Sequence, residues 1–282
     1  MLNLDELIGL EHVKKQIKEH IDYIEFLKLR KEKGLQDNER ISLHSVFTGN
    51  PGTGKTTVVK LLGKIYQKMG LLSKGHVHEV DRSDLVGEFI GQTAPKVREN
   101  IEKARGGILF IDEAYALVRS KEDSKDYGRE VIEVLIKEMS DGPGDIAIMA
   151  AGYPKEMQLF TDFNPGLKSR FKYYFHFEDY TPDELIAIAD YAAEKRLVKV
   201  NPDAKEYINK LLINAYRDRD HTFGNARYAY AIIDEAKMNL GLRLIKNPKC
   251  KKSFRVKLYP PLHLMMLKTS NLPRLKKKLT FL

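Results

Sequence analysis

The stretch Gly49-Asn50-Pro51-Gly52-Thr53-Gly54-Lys55-Thr56 decides how the rest of the chain is read. It fits G-x-x-x-x-G-K-[ST], the phosphate-binding P-loop. That motif needs a strand before it and a helix behind it. Ser42 to Phe47 reads as a short apolar strand, and Thr56 to Met69 carries Val58, Val59, Leu61, Leu62, Ile65 and Met69 at helical spacing. In this context the glycines let backbone N–H groups close around a polyphosphate, and the helix N-terminus adds partial positive charge. Lys55 is expected at the β- and γ-phosphates and the Thr56 hydroxyl on Mg²⁺. Thr57 extends the expected nucleotide contacts by one residue.

A second signal lies at Gly107-Ile108-Leu109-Phe110-Ile111-Asp112-Glu113. Four consecutive apolar residues suit a strand buried on both faces of a parallel sheet. Two acids at its C-terminal end fall where open α/β sheets place ligands. This is a Walker B pattern. Asp112 is expected to hold Mg²⁺ with Thr56, and Glu113 to orient the attacking water; an acidic helix cap is the other reading of Glu113 alone.

Composition sets outer limits. The chain has 282 residues, 43% of them hydrophobic, enough for one large or two ordinary domains. A single cysteine, Cys250, forms no intramolecular disulfide, so the cytoplasm is the expected compartment. No apolar run approaches the roughly 18 residues of a membrane span, and Met1 to Glu6 lacks the basic start of a signal peptide. The net charge of +9 points away from a nucleic-acid partner once it is mapped: Lys246 to Leu282 holds eleven Lys/Arg and no acid, leaving −2 on the other 245 residues.

Outside the two motifs, an apolar stripe of Val13, Ile17, Ile21, Ile24 and Leu27 predicts a helix from Glu11 to Lys33. His76 to Val80 alternates as a strand; its two histidines alone make a weak metal site. Asp81 to Gly91 reads as a loop, with Phe89 either a buried anchor or an aromatic that grips substrate. A helix over Gln92 to Arg105, a charged loop at Lys121 to Lys125, a helix over Tyr127 to Met139, and strands at Ile146 to Ala151 and Tyr173 to Phe177 follow. Asn164 to Phe171 breaks the regular pattern: Pro165 and Gly166 favour a loop, a short helical turn ending at Arg170 is the other reading, and Arg170 either pairs with a local carboxylate or reaches a neighbouring subunit's nucleotide. From Thr181-Pro182 the pattern turns all-helical, with helices at Pro182 to Arg196, Pro202 to Tyr216 and Asn225 to Leu244. The expected organisation is an α/β nucleotide-binding domain over residues 1–179, a helical lid over 180–246, and a basic, poorly patterned tail over 247–282.

Walker A, Walker B and a following helical lid resemble an AAA+ ATPase. The segments Asp84-Leu-Val-Gly-Glu-Phe-Ile-Gly-Gln-Thr-Ala, Gly106-Gly-Ile-Leu-Phe-Ile-Asp-Glu-Ala-Tyr, Ala151-Gly-Tyr, Asn164-Pro-Gly-Leu-Lys-Ser-Arg-Phe and Phe223-Gly-Asn-Ala-Arg resemble the CbbX/CfxQ/SpoVK family, over roughly residues 5 to 245. The resemblance implies a parallel sheet sandwiched by helices and an ATP-hydrolysing, Mg²⁺-dependent, hexameric motor that remodels or threads a protein client. It places Ile8 and Gly9 beside the adenine and Phe89 with Ile90 in a central pore loop, where relatives more often show Tyr. It makes Arg170 an arginine finger acting in trans and Arg227 a sensor 2 residue. It names no sensor 1 residue at Ala151-Gly152-Tyr153. Two other functions remain open: a nucleic-acid motor or loader, which would favour Lys or Arg in the pore loop, and a slow nucleotide-gated scaffold.

Overall fold

The computed structural model describes residues 4–35, 41–118 and 127–246. The expected charged loop at Lys121 to Lys125 and the tail from Asn247, with Cys250, lie outside them. The chain divides into two units: Met1–Asn50 with Gly54–Glu178, and Pro51–Thr53 with Asp179–Leu282.

The first unit is built on five strands, β1 (Ser45–Gly49), β2 (Val77–Val80), β3 (Ile108–Ile111), β4 (Ala147–Gly152) and β5 (Tyr173–Phe177). Their order is β2-β3-β4-β1-β5, and every pairing is parallel. Because side chains alternate along a strand, each central strand feeds two cores. Leu109 and Ile111 of β3, with Ile148 and Ala150 of β4, enter one. Ile108 and Phe110, with Met149 and Ala151, enter the other. The second core is covered by α1 (Glu11–Glu32) and α2 (Lys55–Lys68), through Val13, Ile17, Ile24, Val59, Leu62 and Tyr66. The first is covered by α4 (Thr93–Ala104), α5 (Tyr127–Asp141), α6 (Pro154–Asp162) and α7 (Pro165–Arg170), through Val97, Ile101, Val131, Leu135, Phe160 and Leu167.

Three local departures from the sequence reading have physical causes. β1 begins at Ser45, not Ser42, and runs to Gly49, because its pairing with β5 continues to Gly49 opposite Phe177. The expected loop at Asp81 opens with a short helix, α3 (Arg82–Leu85). Asp81 caps it by accepting from the Ser83 and Asp84 N–H groups, and the Asp84 carboxylate accepts from the Asp81 N–H at 3.0 Å. At Asn164 the short helical turn prevails over the loop, as α7 ending at Arg170: Asn164 accepts from the Gly166 N–H at 2.7 Å and Pro165 fills the first helical position.

The second unit packs α8 (Pro182–Lys195), α9 (Pro202–Arg217) and α10 (Asn225–Lys246) around Leu185, Ile188, Ala192, Leu212, Ala229 and Ile232. Thr181 and Glu184 form a capping box at the start of α8. Among the described residues no helix is long and apolar enough to cross a membrane.

Candidate functional site

Parallel strands bring their C-terminal ends to one edge of the sheet. Gly49 ends β1, Gly152 ends β4, and Asp112 follows β3 with its N–H on the Val80 carbonyl at 2.9 Å. The P-loop and the Walker B acids therefore share this edge, where α/β folds bind ligands.

In the P-loop, Lys55 curls back over the turn, its Nζ donating to the Gly49 and Asn50 carbonyls at 2.8 Å each. Gly54 has φ 97° and gives α2 no side-chain cap. The first amides of a helix lack intrahelical acceptors, so this terminus suits a phosphate. Thr56 is half-buried and Thr57 exposed in this first turn. Pro51–Thr53 group with the helical unit. Within that unit the Gly52 carbonyl accepts from the Ala226 N–H at 3.2 Å, and the Thr53 carbonyl accepts from Tyr180 Oη at 3.2 Å. A Cβ at Gly52, which has φ +71°, would fall 2.1 Å from the Gly224 carbonyl oxygen. Here glycine is demanded by close backbone approach as well as by φ.

Asn225 is the hub of this arrangement, a role that its place in a family motif alone does not signal. It is buried, with φ 47°. Its Oδ1 accepts from the Tyr180 N–H at 3.0 Å, while its Nδ2 donates to Asp179 Oδ1 at 2.7 Å and to the Pro51 carbonyl at 3.3 Å. Arg227, two residues on, keeps its side chain exposed while its backbone N–H holds the Gly224 carbonyl at 2.9 Å.

Asp112 is half-buried, and Glu113 is exposed with φ 50° and ψ 42°, a left-handed conformation uncommon for a residue with a Cβ. Asp112 Oδ1 accepts from the Glu113 N–H at 3.0 Å, and the Glu113 carbonyl accepts from the Ala116 N–H at 2.8 Å, opening a 3-10 helix over Ala114–Leu117. Glu113 stands at the N-cap position of this 3-10 helix but supplies no side-chain cap bond, and its left-handed backbone is strained. Burial, with the Glu113 charge second, pushes the Tyr115 phenol up to about 12. Tyr115 faces Tyr153 at 5.8 Å between ring centroids and crowds Gly152, so the Ala151-Gly152-Tyr153 segment packs against the residue two beyond Glu113.

Among the described residues no three His, Cys, Asp or Glu side chains form a metal cage, and His76 and His78 instead meet the Lys103 carbonyl and Asn100 Oδ1, each at 2.8 Å. Thr56 and Asp112 supply hard oxygen donors only. That set fits Mg²⁺, which takes one or two protein oxygens and completes its shell with water and phosphate.

Arg170 closes α7. Its guanidinium donates to Ser140 Oγ, and to the Gly166 carbonyl at 2.9 Å, and makes no ion pair among the described residues. The local-carboxylate reading therefore fails. Phe89 and Ile90 are 66% and 85% exposed, so the buried-anchor reading fails too. Their turn is ordered: the Gln92 N–H donates to the Phe89 carbonyl at 3.2 Å, and Gly91 supplies φ +83° at the third position. Ile8 and Gly9 are half-buried just before α1, and Gly9 and Leu10 take consecutive left-handed conformations.

The family "ATPase family associated with various cellular activities (AAA)" matches residues 45–178, and the AAA lid domain matches 181–278, past the change in composition at Asn247. The class is thus an AAA ATPase, a nucleotide-binding enzyme that hydrolyses ATP. Stage V sporulation protein K of Bacillus subtilis is 40% identical over 89% of this chain and 77% of its own length. Protein CbbX of Cereibacter sphaeroides is 40% identical over 85% and 76%. The chloroplastic ribulose bisphosphate carboxylase/oxygenase activase of Cyanidioschyzon merolae is 40% identical over 86% and 82%. This chain belongs to the AAA family that includes SpoVK, CbbX and CfxQ. A RuvB mutant of Thermotoga maritima superposes with TM-score 0.58 at 24% identity, covering 87% of this chain and 67% of that one, a likeness of fold alone.

Proposed function

We propose that the chain is the subunit of a cytoplasmic homo-oligomeric ring, six copies around a pore, that uses ATP hydrolysis to remodel a protein client. The observation that carries this reading is the exposure of Phe89 and Ile90 at the tip of an ordered turn. An aromatic beside an aliphatic residue grips polypeptide through surface rather than through sequence-specific polar contacts. A nucleic-acid track would call for Lys or Arg there.

In this reading Lys55 and the loop amides from Gly49 to Thr57 bind the phosphates, and Ile8 and Gly9 border the adenine. Thr56 and Asp112 hold Mg²⁺, which would offset phosphate charge. Glu113 orients water for attack on the γ-phosphorus. Arg170 reaches the nucleotide of the neighbouring subunit, and Arg227 links the helical unit to the phosphate chain. The client class is a protein, as the name of the carboxylase activase among the relatives suggests. Phe89→Ala tests it: the variant should bind ATP as the parent does and lose remodelling of a client captured by the ATP-bound ring. Undiminished remodelling overturns the reading.

A further inference from the structure

The turn that carries Phe89 and the turn that holds Glu113 are joined by one side chain. α3 leads into the Phe89 turn, and its first residue, Arg82, donates from Nη1 to the Ala116 carbonyl at 2.7 Å. The N–H of the same Ala116 is bonded to the Glu113 carbonyl at 2.8 Å. Ala116 thus meets Glu113 through its N–H and Arg82 through its carbonyl. Two residues before Ala114, the Asp112 N–H is bonded to the Val80 carbonyl at 2.9 Å. Residues 80–82 are therefore tied to residues 112–116 at both ends.

The tie has room made for it. A Cβ on Gly128, in the first turn of α5, would lie 1.9 Å from the Leu117 carbonyl oxygen and 3.0 Å from Arg82 Nη1. Between the tied segments is a cavity of about 520 Å³, lined by Asp81, Arg82, Glu88, Lys96, Asp112 and Glu113 among others. Glu88 precedes Phe89 in the chain, so the client turn and the catalytic acid face one space. Leu85 is fully buried and Lys96 donates to the Ser83 and Val86 carbonyls at 2.7 and 3.0 Å. α3 therefore moves with α4, and Arg82 is its polar link to the Glu113 turn.

We propose that Arg82 is a positioning residue that couples the backbone at Glu113 to the Phe89 turn. The left-handed Glu113 has a strained backbone, and strained turns of this kind persist when surrounding bonds over-determine them. The Arg82 bond to Ala116 is one of those bonds. A change of conformation at Glu113 on nucleotide binding would pass through Ala116 and Arg82 to α3. This rests on the proposed roles of Glu113 and Phe89, and its test needs no client.

The full-length chain is compared with Arg82→Met, which keeps bulk and removes the donors, and with Arg82→Lys, which keeps a donor. Hydrogen–deuterium exchange of residues 86–92 is measured with and without Mg²⁺ and a slowly hydrolysed ATP analogue, alongside ATPase kinetics and affinity for a fluorescent ADP. The parent should show a nucleotide-dependent change in exchange at 86–92. Arg82→Met should lose that change and about ten-fold in kcat, with KM and ADP affinity little altered, and Arg82→Lys should recover both in part. A parent without the change, or an Arg82→Met variant that keeps it and its kcat, overturns the proposal. So does an equal loss of ADP affinity in both variants, which would mark Arg82 as merely structural. Failure of Phe89→Ala to impair remodelling would sink the client reading while leaving this exchange result intact.

Discussion

At the scale of single residues, the two charged groups with the clearest chemical assignments are Glu113 and Arg170. Glu113→Gln preserves shape but loses the charge that would polarise water in the proposed role. Nucleotide affinity should be retained and turnover should fall by about 10²–10⁴, as read by single-turnover hydrolysis; normal turnover would remove Glu113 from its role. Arg170→Ala should lower kcat by about 10³ or more if the residue acts as an arginine finger. Mixed with parent subunits it should depress activity more steeply than its share of the mixture, because each finger serves a neighbour. A linear decline would argue against action in trans. The Walker A and Walker B motifs were legible because each is a contiguous stretch of sequence. Asn225 was not legible as a hub, since its partners at Pro51, Asp179 and Tyr180 are far off in sequence. The partners of Arg170, a hydroxyl and a carbonyl rather than a carboxylate, were not legible either, since Ser140 lies 30 residues away in sequence.

At the scale of elements, the alternation of β3 and β4 and the helical stripes of α1 and α2 were readable because both faces of the sheet are packed. The short helix α3 was not, and α7 was legible only as an alternative to a loop, because in each a strong cap outweighs loop-forming composition. Two histidines hidden in these elements set an acid limit on stability. His44 Nδ1 accepts from the Ile148 N–H of β4 at 3.0 Å, and His20 on α1 meets Tyr66 Oη at 2.8 Å. Burial holds each imidazole down to about 4. The ordinary value is near 6.5, so the unfolded chain takes up these protons first. Stability is therefore undiminished above about pH 6.5 and falls as pH drops towards 4, by roughly 3 kcal/mol for each histidine. His44→Asn keeps an acceptor for Ile148 and does not titrate. Thermal melts from pH 8 to pH 5 should show a shallower loss of Tm in this variant; an unchanged slope would remove His44 from the account.

At the scale of the whole molecule, one chain carries an ATPase site on one edge of a parallel sheet and an exposed aromatic turn, which in the proposed function delivers the energy of hydrolysis to a protein. The family and its ATPase chemistry were legible from motifs. The client was not, because an exposed aromatic and aliphatic pair such as Phe89 and Ile90 offers apolar surface and spells out no partner sequence. In the proposed function Phe89 touches a protein when ATP is bound. A photo-crosslinking group at position 89 of the Glu113→Gln chain tests it directly, with the same group at Leu159, which is 69% exposed on α6, as control. Irradiation in host extract should give protein crosslinks from position 89 with ATP, few with ADP, and none from position 159 that depend on nucleotide. Crosslinks to nucleic acid, or a yield at position 89 that matches position 159 and ignores ATP, would contradict it.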